Sequence, residues 1–254
     1  NEYILLTGNQ TGALLADYVL SRKELEDNAV VIKTIVTSEL GADIANAHGA
    51  EVMNVLTGFK YIGEKMIGFD KNGDHTFIMG YEESYGCLIG DHARDKDAVV
   101  ATMALCEAAA YYKTKNMTLW DAMIALYERY GYYKDGIVSI TMKGIEGLAK
   151  IQSIMTTLRE NTPKEIGEYR VRAVRDYKTG IIKNLVTGEE TPTGLPISNV
   201  LYFEMQGNTW LCVRPSGTEP KIKLYYGVVG TSLADADAKA AELADTVNAM
   251  LNAF

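Results

Sequence analysis

The chain has 254 residues and 27.9 kDa, with 47% hydrophobic and 23% charged residues and a formal net charge of −8. This size and mix suit one large or two medium globular domains with cores of their own, and exclude a collagen, a coiled coil and a disordered chain. The acidic balance argues against a non-specific nucleic-acid binder, and with no run of about 18 apolar residues nothing in the sequence crosses a membrane.

Tyr3-Ile4-Leu5-Leu6-Thr7 reads as a strand beginning at once. Asn1 stands where Met is expected and no secretory leader is visible, so the sequence reads as a chain cut from a longer one. Residues 11–23 carry Leu14, Leu15, Tyr18 and Val19 at helical spacing. Residues 29–36 are β-rich, 40–47 helical up to Gly49, 51–56 a strand, and 61–66 a short helix. Such alternation predicts a parallel, helix-covered sheet. Asn72-Gly73 between apolar runs predicts a hairpin turn. Residues 98–112 form a helix apolar on most sides, expected to lie buried in the domain centre. Residues 119–130 form an amphipathic helix, and Tyr130–Gly136 breaks its periodicity.

The second half has a different pattern. A helix over 147–159 leads to β-rich runs at 169–174, 200–205, 210–213 and 221–228, with Gln206-Gly207-Asn208 as a tight hairpin. Ser232 caps a last helix bearing Leu233, Ala236, Ala240, Leu243, Val247 and Leu251 on one stripe. The fold class expected is an α/β domain with a mixed sheet and flanking helices over residues 1–136. An α+β, TBP-like domain with an antiparallel sheet occupies 137–254.

Cys87, Cys106 and Cys212 match neither a disulfide framework nor a zinc site and read as reduced core thiols of a cytoplasmic protein. His48, His75 and His92 lack metal-ligand spacing, so no metal site is expected.

Four stretches carry chemistry. Residues 214–223, Arg-Pro-Ser-Gly-Thr-Glu-Pro-Lys-Ile-Lys, lie between two strands. Arg214 offers a planar fork for phosphate, Ser216 and Thr218 add hydroxyls, and Gly217 lets backbone N–H groups approach an anion. Lys221 and Lys223 share a strand face. A polar hairpin with solvated charges is the plain alternative. Gly80-Tyr81-Glu82-Glu83-Ser84-Tyr85-Gly86 comes after a strand whose C-terminal end opens to a ligand crevice. Its carboxylates and hydroxyl suit sugar hydroxyls, and a glycine-rich surface turn is the alternative. Residues 91–97, Asp-His-Ala-Arg-Asp-Lys-Asp, open the apolar helix, where Arg94 and Lys96 can hold a phosphate or stay solvated while Asp95 caps. Thr57-Gly58-Phe59-Lys60 is a strand-to-helix turn.

These stretches, in this order, resemble the α-D-phosphohexomutase superfamily, in particular its phosphoglucomutase/phosphomannomutase members. The resemblance covers the whole chain as the third and fourth of four domains. It implies that Glu82 and Ser84 bind sugar hydroxyls and that Thr57 and Gly58 add sugar contacts. It implies that Arg214, Ser216, Gly217 and Thr218 bind the substrate's phosphate, with Lys60 and Lys223 grouped among the substrate-binding residues. Lys96 resembles a lysine that contacts the reacting phosphate, with Arg94 supporting it. Phe59 stands where some bacterial members have His and cannot move a proton.

The family's phosphoserine loop and its magnesium-holding aspartate loop are not found in the sequence. The segment Asn1–Gly8 resembles the stretch immediately C-terminal to that metal loop. The resemblance therefore implies the recognition half of a cytoplasmic mutase that interconverts hexose 1-phosphate and 6-phosphate. The parent would use Mg²⁺ and a sugar 1,6-bisphosphate, neither held by this chain alone. Its partners would be hexose phosphate and the missing N-terminal domains, and the chain by itself would be inactive. Rival readings are a non-catalytic sugar-phosphate binding module, a phosphopentomutase and a phosphoglucosamine mutase. The last usually carries a His directly after the Ser-Gly of its sugar loop, and Ser84-Tyr85-Gly86-Cys87 departs from that.

Overall fold

The computed structural model describes residues 3–142, 144–217 and 219–253. Asn1 and Thr218 lie outside them. The chain divides into two compact units, Asn1–Gly131 and Tyr132–Phe254. The division precedes residue 136 because Tyr132–Gly136 already belong to a strand of the second unit.

Unit 1 opens with α1 (Gly8–Leu20), whose start is a capping box. Gln10 N–H donates to Thr7 Oγ1, and Thr7 N–H donates to Gln10 Oε1. The chain continues through β1 (Ala29–Thr34), α2 (Leu40–Ala47), β2 (Glu51–Val55), α3 (Phe59–Asn72), β3 (Thr76–Tyr81) and β4 (Cys87–Ile89). It ends with α4 (Ala98–Thr114) and α5 (Leu119–Tyr130). The sheet order is β2-β1-β3-β4, with β1 parallel to both neighbours and β4 antiparallel to β3. This is a mixed sheet with flanking helices. Phe59, Ile62, Met66 and Phe69 on α3 pack against Val30, Ile32 and Phe77 of the strands.

Three expectations fail here. Tyr3–Thr7 form no strand: Tyr3 and Leu5 are 97% and 88% exposed. Their apolar alternation marked a strand, but no strand of the sheet β2-β1-β3-β4 pairs with this run, and without a partner an extended segment makes no ladder. Asn72-Gly73 makes no hairpin. The helix runs through to Asn72, and Gly73, at φ 64°, is its left-handed C-cap, donating to Phe69 O at 2.8 Å. Glycine's access to positive φ serves either turn, and burial of Phe69 in the core extends the helix past Met66. Finally, α4 is not central. Only Ala104 and Ala108 are buried, and Cys106 is exposed rather than a core thiol.

Unit 2 begins with β5 (Tyr132–Thr141), α6 (Gly144–Glu160), β6 (Glu165–Ile166), β7 (Tyr169–Asp176), β8 (Ile181–Asn184) and β9 (Glu190–Pro192). It continues with β10 (Leu201–Met205), β11 (Trp210–Pro215), β12 (Lys221–Gly230) and α7 (Leu233–Asn252). The order β5-β12-β11-β10-β7-β8-β9 is antiparallel throughout. The expected turn at Gln206–Asn208 joins β10 to β11, with Gly207 at φ 73°. Ser232 Oγ accepts from Asp235 N–H to start α7. Ile154, Met155 and Leu158 of α6 and Leu243 and Val247 of α7 bury one sheet face, with Phe203, Leu211, Val213 and Leu224. That is the layered α+β arrangement the second half predicts. Among the described residues no helix is long and apolar enough to cross a membrane.

Candidate functional site

In unit 1 the C-terminal end of β3 carries the loop Glu82–Gly86. Glu82 N–H donates to Gly86 O at 2.8 Å and closes it, while Tyr85 takes a left-handed φ of 69°. Glu82 is 9% exposed, and its Oε1 accepts from Gly58 N–H at 3.1 Å. Gly58 has φ 122°, a conformation in which a side chain is strained. Thus the turn Thr57-Gly58 and the carboxylate of Glu82 meet. Gly86 lets a third group join them. A Cβ there would fall 2.7 Å from Lys96 Cδ and 2.8 Å from Glu82 Oε2, so the Lys96 stem passes beside Glu82 only because residue 86 is glycine. Lys96 Nζ also pairs with exposed Asp95 at 2.9 Å. Ser84 is exposed at the loop's outer side.

Two of the expected cations point elsewhere. The Arg94 guanidinium donates to Asp70 Oδ2 and Asp91 O, each at 2.5 Å, and to Ala93 O at 3.0 Å. Its donors are committed to α3 and its own turn. Lys60 is exposed with Nζ 4.7 Å over the Tyr61 ring. The cap of α4 is Asp97, not Asp95: Asp97 Oδ1 accepts from Val99 and Val100 N–H.

Behind the loop lies a network that sequence reasoning missed. Glu83 Oε2 accepts from Thr34 Oγ1 at 3.4 Å and Thr37 Oγ1 at 3.5 Å. Burial pushes its carboxyl above the ordinary carboxylate range, and neighbouring Glu82 adds to the shift. Fully buried Lys33 donates to Glu39 Oε1 at 2.9 Å and Thr37 O at 3.1 Å, fixing the turn that presents both threonines. The signal was a lone Lys inside the apolar strand 29–36, since a buried ammonium must be paired.

In unit 2, β11 and β12 frame the other candidate stretch. Ser216 N–H donates to Lys221 O at 2.7 Å and closes the loop, and Glu219 N–H donates to Ser216 Oγ at 3.3 Å. Lys221 pairs with Glu219 at 3.0 Å. Arg214 and Lys223 are directly opposite each other across the two strands and half-buried. Among the described residues neither has an ion-pair partner. A Cβ on exposed Gly217 would meet nothing within 4 Å.

Among the described residues no three His, Cys, Asp or Glu side chains could hold a metal ion. These residues therefore do not fit the magnesium that the resemblance attaches to the whole enzyme.

Residues 7–130 match the family model described as phosphoglucomutase/phosphomannomutase, alpha/beta/alpha domain III. A phosphoglucomutase of Staphylococcus aureus is 37% identical over 245 residues, covering 96% of this chain and 42% of the relative. One from Staphylococcus epidermidis is 38% identical over 220 residues, with 86% and 39% covered. Thus the chain spans about two fifths of the length of these curated relatives. Among solved structures, parafusin of Paramecium (a phosphoglucomutase) aligns at TM-score 0.60 and 16% identity, over 96% of this chain and 42% of that one. A phosphoglucomutase/phosphomannomutase family protein of Burkholderia thailandensis aligns at TM-score 0.56 and 16% identity, over 98% and 42%. At such identities the two structures speak for the fold alone.

Proposed function

The chain belongs to the phosphohexomutase superfamily and represents its C-terminal domains, and from that premise we propose that it is the substrate-recognition half of a mutase moving phosphate between C1 and C6 of a hexose. The observation that carries this reading is the opposition of Arg214 and Lys223. Two like charges facing each other across antiparallel strands destabilise the sheet by roughly 0.2–1 kcal/mol. Nothing within the described chain offsets them. A phosphate between them would, with the guanidinium fork supplying two parallel charge-assisted bonds. Ser216 and the open side of Gly217 border the same loop, and Thr218 is assigned to it from sequence.

In unit 1, Glu82 is the acceptor for adjacent ring hydroxyls, oriented by the Gly58 N–H, and Ser84 adds a donor. Lys96 lies beside Glu82 and is the group for the phosphate at the reacting end. Arg94 would have to leave Asp70 to take part. In this reading the phosphoserine, the magnesium site and the rest of the catalytic centre belong to domains outside the chain, which by itself binds weakly and turns nothing over. The sugar 1,6-bisphosphate is the intermediate the parent enzyme would handle.

Titration of the chain with glucose 6-phosphate, monitored by amide NMR shifts, tests this. Shifts should concentrate at residues 214–223 and vanish in Arg214→Ala, and Arg214→Lys should not restore them, because an ammonium cannot form the fork. Shifts that persist in Arg214→Ala would refute the phosphate assignment.

A further inference from the structure

The loop after β3 contains a strained residue. Among the described residues three other than glycine have positive φ: Tyr85 at 69°, Asn116 at 56° and Asn208 at 55°. Asparagine tolerates this left-handed region, whereas a bulky aromatic enters it only at a cost. Tyr85 is 60% exposed, so burial offsets little of that cost. A glycine in its place would take the same turn without strain. What the tyrosine supplies is its phenol: Tyr85 Oη donates to Leu6 O at 3.0 Å, 79 positions earlier in the chain. The acceptor is itself held. Leu6 directly precedes Thr7, the N-cap of α1, whose capping box fixes the start of the helix. Gly8 seats that start against the loop, since a Cβ there would run into Glu83 O and lie 2.8 Å from Tyr85 N. Backbone strain that its surroundings hold in place in this way marks functional segments.

The ties of the loop converge on Ser84. On one side the Glu82 carboxylate accepts from Gly58 N–H, and Glu83 accepts from Thr34 and Thr37. On the other side stands Tyr85 with its bond to Leu6 O. Exposed Ser84 lies between them. We propose that Tyr85 is a positioning residue for sugar recognition. Its left-handed backbone turns the chain between Ser84 and Gly86, and its hydroxyl pins that turn to the start of α1, so that the Ser84 hydroxyl and the Glu82 carboxylate are presented to the sugar together. The role rests on the reading of Glu82 and Ser84 as the sugar-binding pair and adds the residue that holds them in register. Without the pin the loop samples more conformations, and ordering them on binding lowers affinity for the sugar. None of these bonds involves residues 214–223, so affinity for phosphate itself stays as it was.

Two variants of the 254-residue chain separate the phenol from the backbone. Tyr85→Phe keeps the ring and the strained φ and loses the bond. Tyr85→Gly loses the bond and the strain together. Each is titrated with glucose 6-phosphate and, separately, with inorganic phosphate, followed by amide NMR shifts. The wild type should bind the sugar phosphate more tightly than phosphate. Both variants should lose about three- to ten-fold in glucose 6-phosphate affinity, the effect of one hydrogen bond, and keep the wild-type affinity for phosphate. A residue that only stabilises the fold would leave the ratio of the two affinities alone. Unchanged glucose 6-phosphate binding in either variant, with the wild-type preference intact, would overturn the positioning role and leave the functional reading standing. Equal losses for both ligands would also overturn it, since they mark a general loosening of the chain. A wild type that binds both ligands equally would remove the sugar role of this loop, and that of Tyr85 with it, while the phosphate assignment stands. A wild type that binds neither would refute the functional reading and this role together.

Discussion

Replacing Lys223 by Glu should reverse the effect of ligand on stability. Without ligand, Lys223→Glu turns a like-charge cross-strand pair into an opposite-charge pair with Arg214. Removing the repulsion and adding an attraction each contribute roughly 0.2–1 kcal/mol, so unit 2 should gain about 0.4–2 kcal/mol. The gain should shrink with salt, because both side chains are half-buried and partly screened. In a domain of this size it corresponds to a rise of roughly 2–8 °C in Tm. Hexose phosphate should act the other way. At about 100 Kd of ligand the wild type gains about 2.7 kcal/mol. The variant has lost one charged hydrogen-bond partner, worth roughly 1.5–3 kcal/mol, and presents a carboxylate to the phosphate, so its gain should be close to zero. Differential scanning calorimetry with and without glucose 6-phosphate reads both numbers in one series. Without sugar phosphate the variant should melt above the wild type, and with it below. A variant that melts lower without ligand, or that shifts as much as the wild type with it, would show that Arg214 and Lys223 are not a waiting anion site.

Gly86→Ala should leave the fold standing, because its Cβ meets the flexible ends of Lys96 and Glu82 rather than backbone; by displacing both it should weaken hexose phosphate binding by about ten-fold, the cost of roughly one hydrogen bond. Unchanged affinity, measured by calorimetric titration, would separate Lys96 and Glu82 from the sugar. The Glu83 carboxyl ionises less readily in the folded chain than in the unfolded one. The folded state then binds that proton more tightly, so this group's contribution to stability is present at low pH and is lost as pH rises above about 4.5 and through the raised folded value. Glu83→Gln should therefore raise Tm at neutral pH, with the advantage fading as pH falls toward 4.5. An advantage that grows on acidification, measured by thermal melts across a pH series, would contradict the sign.

Much of this protein is legible from local chemistry. The helix over 40–47, the cap at Ser232 and the turn at Gln206–Asn208 each depend on residues within a few positions of one another, so the sequence alone marks them. The stretches at Glu82 and Arg214 likewise carry the family resemblance because their residues are contiguous in the sequence. Decisions that depend on distant partners were not legible. Asn72-Gly73 suits a hairpin or a helix end, and burial of Phe69 against the sheet decided for the helix. The alternation in Tyr3–Thr7 promised a strand, but a strand needs a partner, and no strand of the sheet pairs with this run. Arg94 and Lys96 look alike in sequence; Asp70, on α3, takes the first, and Gly86 admits the second beside Glu82. The opposition of Arg214 and Lys223 arises only from the register of β11 on β12. The apolar character of α4 was visible in its sequence, and its exposure was not: hydrophobicity records that a side chain avoids water, and only the tertiary structure shows which side of the helix the rest of the unit covers.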